Sequence, residues 1–187
     1  MEYEIHITVE NNDNFIKTCE EIGVKPIVIV VDETNQESNQ VMTSSKYSGI
    51  SWREVMNNLS KSLVDKNQKI LRQKVEIFPN ELKSENHIYY ETHFRLKLKK
   101  GYDRKPLQHA CKHMNFHMSR NLFKKNDSWD WLMITYRSKD KTLAMFKSII
   151  DTMKGILDNM NIEYDKIEVE ECVFDSNENI DNKWLNK

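Results

Sequence analysis

Two histidines at matching positions of an internal repeat are the residues of this sequence best suited to chemistry. His6 lies in Tyr3-Glu4-Ile5-His6-Ile7-Thr8-Val9, and His93 lies in Tyr90-Glu91-Thr92-His93-Phe94-Arg95-Leu96. One imidazole can act as a general base and the other as a general acid, while nearby cations stabilise charge that develops on a phosphate. The repeat therefore predicts acid–base chemistry on a phosphate, with His6 and His93 as the catalytic residues.

The repeat extends through most of the chain. Its further matches are Cys19 with Cys111, Thr43 with Thr135, Lys74 with Lys166 and Glu76 with Glu168. Because this period is far longer than that of a solenoid repeat, we interpret it as one domain-sized unit used twice. We expect a first unit at 1–79, a second at 87–175 and a tail at 176–187 that docks through Trp184, all forming one body.

Each unit predicts the element order β-α-β-β-α-β. Residues 2–10 alternate between apolar and polar side chains, as in a half-buried strand, and residues 14–22 carry an apolar stripe at helical spacing that ends at Gly23. With right-handed crossovers, this order favours an α+β fold of two tandem ferredoxin-like units related by pseudo-twofold symmetry. The polar strand faces would be open, and we expect the two histidines to face one another across a groove between the halves.

Polar residues around the histidines complete the candidate site. The predicted substrate-binding residues are Thr8, Thr43, Arg72, Lys74, Arg95, Thr135, Arg137 and Lys166. We expect Glu4 and Glu91 to orient the imidazoles, and basic side chains to outnumber carboxylates near them. No metal ligand and no cofactor is predicted, since His109, His113 and His117 have helical spacing but no cysteine or carboxylate completes the set.

The duplicated chain with its His-x-Thr motif resembles the two-histidine (2H) phosphoesterases, which carry a His-x-Thr/Ser motif on a strand in each lobe. His6-Ile7-Thr8 matches that motif, whereas His93-Phe94-Arg95 has an arginine at the hydroxyl position. The resemblance implies metal-independent cleavage of a cyclic phosphate or phosphodiester of RNA or a nucleotide.

The sequence is also similar to an uncharacterised family of small bacterial proteins. The similarity lies in the Glu-x-His start, the Met42-Thr43-Ser44 segment and the Ser119-Arg120-Asn121 segment. It implies that these positions belong together, and it adds Arg120 to the predicted substrate-binding residues.

Other functions stay open at this point. Ferredoxin-like sheets also bind single-stranded RNA on their open face, so the chain could be a non-catalytic nucleotide- or RNA-binding or protein-interaction module. Alternatively, Glu4, Glu76, Glu91 and Glu168 could hold Mg²⁺ or Mn²⁺ in a metal-dependent phosphohydrolase. The same glutamates could also pair with lysines and arginines across strands in a purely structural interface.

Composition restricts the setting and the partners. With 28 Lys and Arg against 29 Asp and Glu, the net charge of −1 gives no overall attraction to nucleic acid or membranes. The 3 cysteines are widely spaced, which predicts reduced thiols and no disulfide-linked partner, with Cys19 and Cys111 in the core. No apolar run is long enough to cross a bilayer. We therefore expect a cytoplasmic protein whose partner is a phosphate-containing small molecule or RNA.

Overall fold

The computed structural model of the chain describes residues 2–31, 38–80, 84–121 and 128–181, and its strands form a closed antiparallel barrel. The strands are β1 (Glu2–Val9), β2 (Lys25–Val31), β3 (Ser38–Ser48), β4 (Ile70–Ile77), β5 (Tyr89–Lys99), β6 (His117–Asn121), β7 (Trp129–Ser138) and β8 (Glu163–Asp175). Around the barrel their order is β1-β3-β2-β6-β7-β5-β8-β4, after which β4 pairs with β1 again. Every polar strand face therefore looks into one enclosed interior.

The helices pack on the outside of the barrel, against the apolar strand faces. They are α1 (Phe15–Ile22), α2 (Trp52–Asp65), α3 (Lys105–His113) and α4 (Leu143–Asn159), and a short 3-10 helix (Glu178–Asp181) follows β8. One apolar cluster joins α1 and α2 to the strands of the first half, with Ile5 and Cys19 fully buried. A second cluster joins α3 and α4 to the second half around Phe94 and Cys111. Burial of the two matched cysteines is thus confirmed.

The predicted fold of two open ferredoxin-like sheets is wrong. Within each half the strands do neighbour in the order β4-β1-β3-β2 or β8-β5-β7-β6, but the edge strands of the halves pair with each other. On one side β2 pairs with β6, with Ile29 opposite Asn121, and on the other side β4 pairs with β8, with Lys74 opposite Asp175. An edge strand of an open sheet has unpaired backbone N–H and C=O groups. Here the edge strands of one half form backbone hydrogen bonds with the edge strands of the other half. The expected groove between facing sheets is therefore replaced by a barrel interior.

The strand register also corrects the repeat alignment near the end of each half. His6 lies opposite Lys74 in β4, whereas His93 lies opposite Glu168 in β8. Likewise, Glu4 lies opposite Glu76, and Glu91 lies opposite Glu170. Lys74 and Glu168 are therefore equivalent in space, so the sequence match of Lys74 with Lys166 is displaced by two residues.

The remaining sequence predictions concern membranes and the tail. Among the described helices, none has the length and apolar character needed to cross a membrane. The predicted tail is described only as far as Asp181, and Trp184 lies outside the described residues.

Candidate active site

The inward faces of the strands line a cavity of about 400 Å³. This volume is near the lower end of the range found for small-molecule sites. Among the described residues that line it, basic side chains outnumber acidic ones by eight to five. The basic residues are Lys25, Lys46, Arg72, Lys74, Arg95, Arg120, Arg137 and Lys166, and the acidic residues are Glu4, Glu91, Glu168, Glu170 and Asp181. Three carboxylates outside the lining offset this majority, since Lys74 pairs with Glu76, Arg72 with Asp175 and Arg95 with Asp165.

Side-chain exposure distinguishes an open end of this cavity from a closed one. The Lys46 and Lys166 side chains are 43% and 49% exposed, and both contact Glu168. By contrast, Arg72 and Asp181 are 4% and 1% exposed. We call the lysine end the mouth and the arginine end the floor. A ligand from solvent therefore meets the mouth lysines before it reaches the histidines.

The floor is a neutralised network of arginines and aspartates. Arg72 donates from Nε and Nη2 to the two carboxylate oxygens of Asp175, at 2.9 and 2.5 Å, and Tyr89 donates to the same carboxylate at 2.7 Å. Asp181 accepts from Arg72 Nη1 and from Arg137 Nη2, each at 2.7 Å. Burial would raise the pKa of Asp175, but the hydrogen bond and charge of Arg72, together with the hydrogen bond from Tyr89, lower that pKa. These arginines are consequently occupied by the protein itself.

His6 is oriented by two glutamates. Its Nε2 atom lies 2.9 Å from Oε2 of Glu76 and 3.6 Å from Oε1 of Glu4. Burial would raise the pKa of Glu76, but Lys74 and His6 together lower it to about 2, so Glu76 is ionised at neutral pH. An ionised carboxylate at this distance electrostatically favours the tautomer of a neutral His6 ring in which Nε2 carries the hydrogen. Nδ1 then carries the lone pair.

The Nδ1 atom of His6 is a buried polar atom of the site without a hydrogen-bond partner among the described residues. Buried polar atoms in folded proteins are normally satisfied, so an orphaned one calls for an explanation. An acceptor nitrogen held in place by a carboxylate on its far side is the arrangement required of a general base.

His93 is held more tightly than His6. Its Nε2 atom lies 3.0 Å from Glu91 Oε1, and its Nδ1 atom lies 2.8 Å from the hydroxyl of Thr135. Burial would lower the pKa of His93, but the hydrogen bond with Glu91 and the charge of Glu170 raise it to about 9. His93 is therefore an imidazolium at neutral pH, and both of its nitrogens are engaged by the protein. This geometry suits His93 to act through its charge.

Lys74 connects the surroundings of the two histidines. Its Nζ atom lies 2.7 Å from Glu76 Oε1 and 3.1 Å from Glu91 Oε1. Glu76 contacts His6 and Glu91 contacts His93, so a continuous chain of charged contacts joins the two rings along one wall of the cavity. The two histidines thus belong to one electrostatic unit, although they come from opposite halves of the chain.

Glu170 is a cavity carboxyl with a raised pKa that sequence reasoning missed. Burial, followed by the nearby charge of Glu76, raises the pKa of Glu170 to about 8, so this carboxyl is protonated at neutral pH. Its Oε2 atom lies 3.7 Å from His93 Nε2. Glu170, Glu168 and Lys166 are two residues apart along β8 and therefore share a strand face, so residue alternation could have predicted that Glu170 lies at the site. Asp181 gave no such signal, because it comes from a 3-10 helix beyond the strands.

The structure brings most of the predicted site residues to the cavity. Those that line it are His6, His93, Thr8, Arg72, Lys74, Arg95, Arg120, Thr135, Arg137, Lys166, Glu4 and Glu91. Thr43 is not brought there, since it pairs with Ile7 on the apolar face and its hydroxyl accepts from the Ile7 N–H at 3.2 Å.

Some residues that line the cavity have partners that limit their use. The guanidinium of Arg95 is paired with Asp165 at the mouth. Arg120 lies opposite the buried Val30, so its side chain starts from the outer strand face. The imidazoles themselves contact the carboxylates of Glu4, Glu76, Glu91 and Glu170. The basic majority of the cavity therefore comes largely from the mouth and the floor.

The glutamates considered as metal ligands have cationic partners in the structure. Glu4 pairs with Lys46, Glu76 with Lys74, Glu91 with Lys74 and Arg137, and Glu168 with Lys166. Within the described part of the chain, no group of three or more His, Cys, Asp or Glu side chains has an arrangement suited to a metal ion.

No protein-family model matches this sequence, and no curated protein matches it. Among solved structures, the chain is similar to the acetolactate synthase small subunit from Thermotoga maritima, with 13% identity, a TM-score of 0.32 and coverage of 92% of this chain and 95% of that one. It is also similar to a putative monooxygenase from Lactobacillus acidophilus NCFM, with 14% identity, a TM-score of 0.31 and 92% of both chains covered. The chain is also similar to an unknown protein from Galdieria sulphuraria, with 7% identity, a TM-score of 0.29 and coverage of 91% of this chain and 97% of that one. Similarities this weak carry no argument about function.

Proposed function

We propose that the protein is a phosphoesterase that binds a small phosphate ester inside the barrel and cleaves it by acid–base catalysis. His6 is the general base, Glu170 is the general acid, and the His93 imidazolium stabilises negative charge. This assignment modifies the expectation from the histidine repeat, in which the two histidines shared the acid and base roles.

The proposal is supported chiefly by two glutamates beside the histidines that differ in protonation state. Glu76, which contacts His6, is ionised at neutral pH, whereas Glu170, which contacts His93, is protonated. Glu76 has its pKa lowered to about 2, and Glu170 has its pKa raised to about 8. Titratable groups whose surroundings drive their pKa values apart are typical acid and base partners. The unpartnered Nδ1 of His6 is the matching acceptor; because this atom is buried in the ligand-free structure, the proposed role requires the ring to turn toward the cavity when substrate binds.

The proposed reaction is an in-line hydrolysis. Nδ1 of His6 removes a proton from water as the water oxygen forms a bond to phosphorus. The bond from phosphorus to the leaving oxygen breaks, and that oxygen takes the proton of the Glu170 carboxyl. The His93 imidazolium offsets the charge that builds up on the phosphoryl oxygens.

The proposal is tested with a panel of small phosphodiesters that includes 2′,3′-cyclic nucleotides, glycerol cyclic phosphate, bis(4-nitrophenyl) phosphate and short RNAs. Wild-type protein is compared with His6→Ala, Glu170→Gln and the His6→Ala, His93→Ala double variant. General acid–base groups contribute about 10²- to 10⁴-fold, so we expect kcat to fall by that factor in each single variant. His109→Ala is the control, because His109 lies on α3 outside the barrel.

Two outcomes contradict the phosphoesterase proposal. Turnover by the double variant at the wild-type rate would place the chemistry elsewhere. Absence of turnover by the wild-type protein, together with saturable binding of a panel member, would favour a binding protein. The fully paired arginines of the floor suit that second function, since a binding site needs a rigid wall but no proton transfer.

A further inference from the structure

We infer that Lys25 of β2 is a substrate-binding residue, whose ammonium holds the phosphoryl oxygens of the ligand beside His6. Lys25 is not one of the substrate-binding residues that the sequence predicts. This inference rests on the proposed function, and it identifies the cation that captures the anionic group of the substrate.

Ion pairing divides the cations of the cavity into two groups. Among the described residues, Lys25 and Arg120 line the cavity without a carboxylate partner. The other six basic residues of the lining pair with carboxylates of the protein, and they are Lys46, Arg72, Lys74, Arg95, Arg137 and Lys166. A paired cation must leave its carboxylate before it can bind an external anion, and an uncompensated buried charge is costly. The unpaired cations are therefore the ones available to a ligand.

The strand faces distinguish Lys25 from Arg120. Side chains alternate along a strand, and Lys25 shares the face of Ile27 and Ile29, which also line the cavity. Arg120 lies opposite the buried Val30, so its side chain starts from the outer face. Of the two unpaired cations, Lys25 is thus the one whose side chain starts from the inner face of the barrel.

The strand register places Lys25 level with His6. His6 of β1 lies opposite Ser44 of β3, and Ser44 lies opposite Lys25 of β2. Neighbouring strands are about 4.8 Å apart, so the Cα atoms of His6 and Lys25 are separated by about 10 Å. All three residues line the cavity, and the hydroxyl of Ser44 donates to Glu4 at 2.5 Å. A small side chain between His6 and Lys25 leaves room there for a ligand.

The chemistry of lysine fits a phosphoryl group in this space. Its ammonium is a compact charge with three N–H donors on a flexible four-carbon stem, so it can follow the oxygens of a bound phosphate. Lys25 is exposed, so its ammonium exchanges water for phosphoryl oxygens when the ligand binds. Hydrogen bonds between an ammonium and a phosphate are stronger than those between neutral groups. Lys25 thus holds the anion while His6 acts on the attacking water.

The test measures binding and turnover in Lys25→Gln, which removes the charge and keeps a polar side chain. With inorganic phosphate as the probe in an NMR titration of the full chain, we expect the dissociation constant to rise about tenfold or more. With bis(4-nitrophenyl) phosphate as the substrate, KM should rise by a similar factor. The value of kcat should change less than about threefold, because the bound substrate and the transition state share this contact.

Two further variants separate the charge of Lys25 from other effects. Lys25→Arg keeps the charge, so both constants should stay within about threefold of the wild type. Lys61→Gln, at an exposed lysine of α2, is the matched control and keeps the wild-type values. An equal rise of the dissociation constant in Lys61→Gln would indicate a general effect of net charge and would overturn the inference.

The remaining outcomes separate this inference from the phosphoesterase proposal. Unchanged phosphate affinity and KM in Lys25→Gln, with turnover by the wild type, would overturn the inference and leave the phosphoesterase proposal standing. Phosphate binding that is weakened by Lys25→Gln, without turnover of any substrate, would support the role of Lys25 and reject the enzyme. Absence of both phosphate binding and turnover in the wild type would reject both.

Discussion

Arg72 of β4 and Asp175 of β8 form a bidentate ion pair that joins the two halves of the chain across one seam of the barrel. Both side chains are almost fully buried, at 4% and 0% exposure. The pair lies beside the contact in which Lys74 and Asp175 are opposite one another in the strand register. Closure of the barrel is thus coupled to the pairing of two buried charges.

Removal of one partner of this pair should destabilise the protein strongly. Arg72→Ala leaves the buried Asp175 without its cation and removes one of the two arginines that hold Asp181, which costs about 3–5 kcal/mol of unfolding free energy. Urea unfolding measures the loss. Arg95→Ala is the matched control, because Arg95 makes the same type of contact with Asp165, but at 29% and 40% exposure. Exposed pairs contribute about 0–1 kcal/mol. Equal losses in the two variants would contradict the interpretation of the seam.

Stability should fall as the pH rises above neutrality. The pKa of His93 is raised to about 9, so its contribution is complete below the unfolded value near 6.5 and is lost as the pH rises through 9. The pKa of Glu170 is raised from 4.5 to about 8, so its contribution is also lost with rising pH, from about 4.5 to 8. Because both effects have the same sign, the free energy of unfolding should decrease between pH 6.5 and 9.

The contribution of Glu170 to this pH dependence can be isolated. Glu170→Gln removes the titrating group and keeps the shape of the side chain, so unfolding free energy should decrease less steeply between pH 6 and 8 than in the wild type. Urea titrations at a series of pH values give both slopes. An unchanged slope in the variant would show that Glu170 does not titrate with a raised pKa.

Asp181 should behave as an internal anion bound to two arginines. Asp181→Ala leaves Arg72 and Arg137 without their shared carboxylate, which stood 2.7 Å from each. We expect a loss of about 3 kcal/mol or more of unfolding free energy. Formate is a small carboxylate, so added formate should raise the melting temperature of the variant and leave that of the wild type unchanged. A variant that does not respond to formate, with chloride as the salt control, would contradict this role.

The mouth lysines should affect substrate capture more than the chemical step. Lys46→Gln combined with Lys166→Gln removes two positive charges that are 43% and 49% exposed. For an anionic substrate we expect KM to rise several-fold and to depend less on salt, because screening acts on exposed charges, while kcat stays close to that of the wild type. Steady-state kinetics at two ionic strengths tests this. A fall in kcat with constant KM would instead assign the lysines to the reaction.

Residue alternation was enough to place both histidines and Lys74 on polar strand faces, although the predicted set also included Thr43, which lies on the apolar face. His6, Lys74 and His93 fit the two-residue period of their strands, because successive side chains of a strand point to opposite faces of the sheet. The helices were equally readable, because Phe15, Cys19 and Ile22 recur at helical spacing. These features depend on local geometry, which neighbouring residues in the chain determine.

What the two polar faces become was decided only by tertiary structure. Whether β2 pairs with β6 and β4 with β8, or each edge stays free, depends on contacts between residues far apart in sequence, and local periodicity carries no information about them. Closure converts two solvated faces into one interior, and the resulting burial gives Glu170 its raised pKa and His93 its ion pair with Glu91. The sequence therefore predicted which residue types form the site. It could not predict their protonation states, because these depend on the low-dielectric enclosure that only the closed barrel provides.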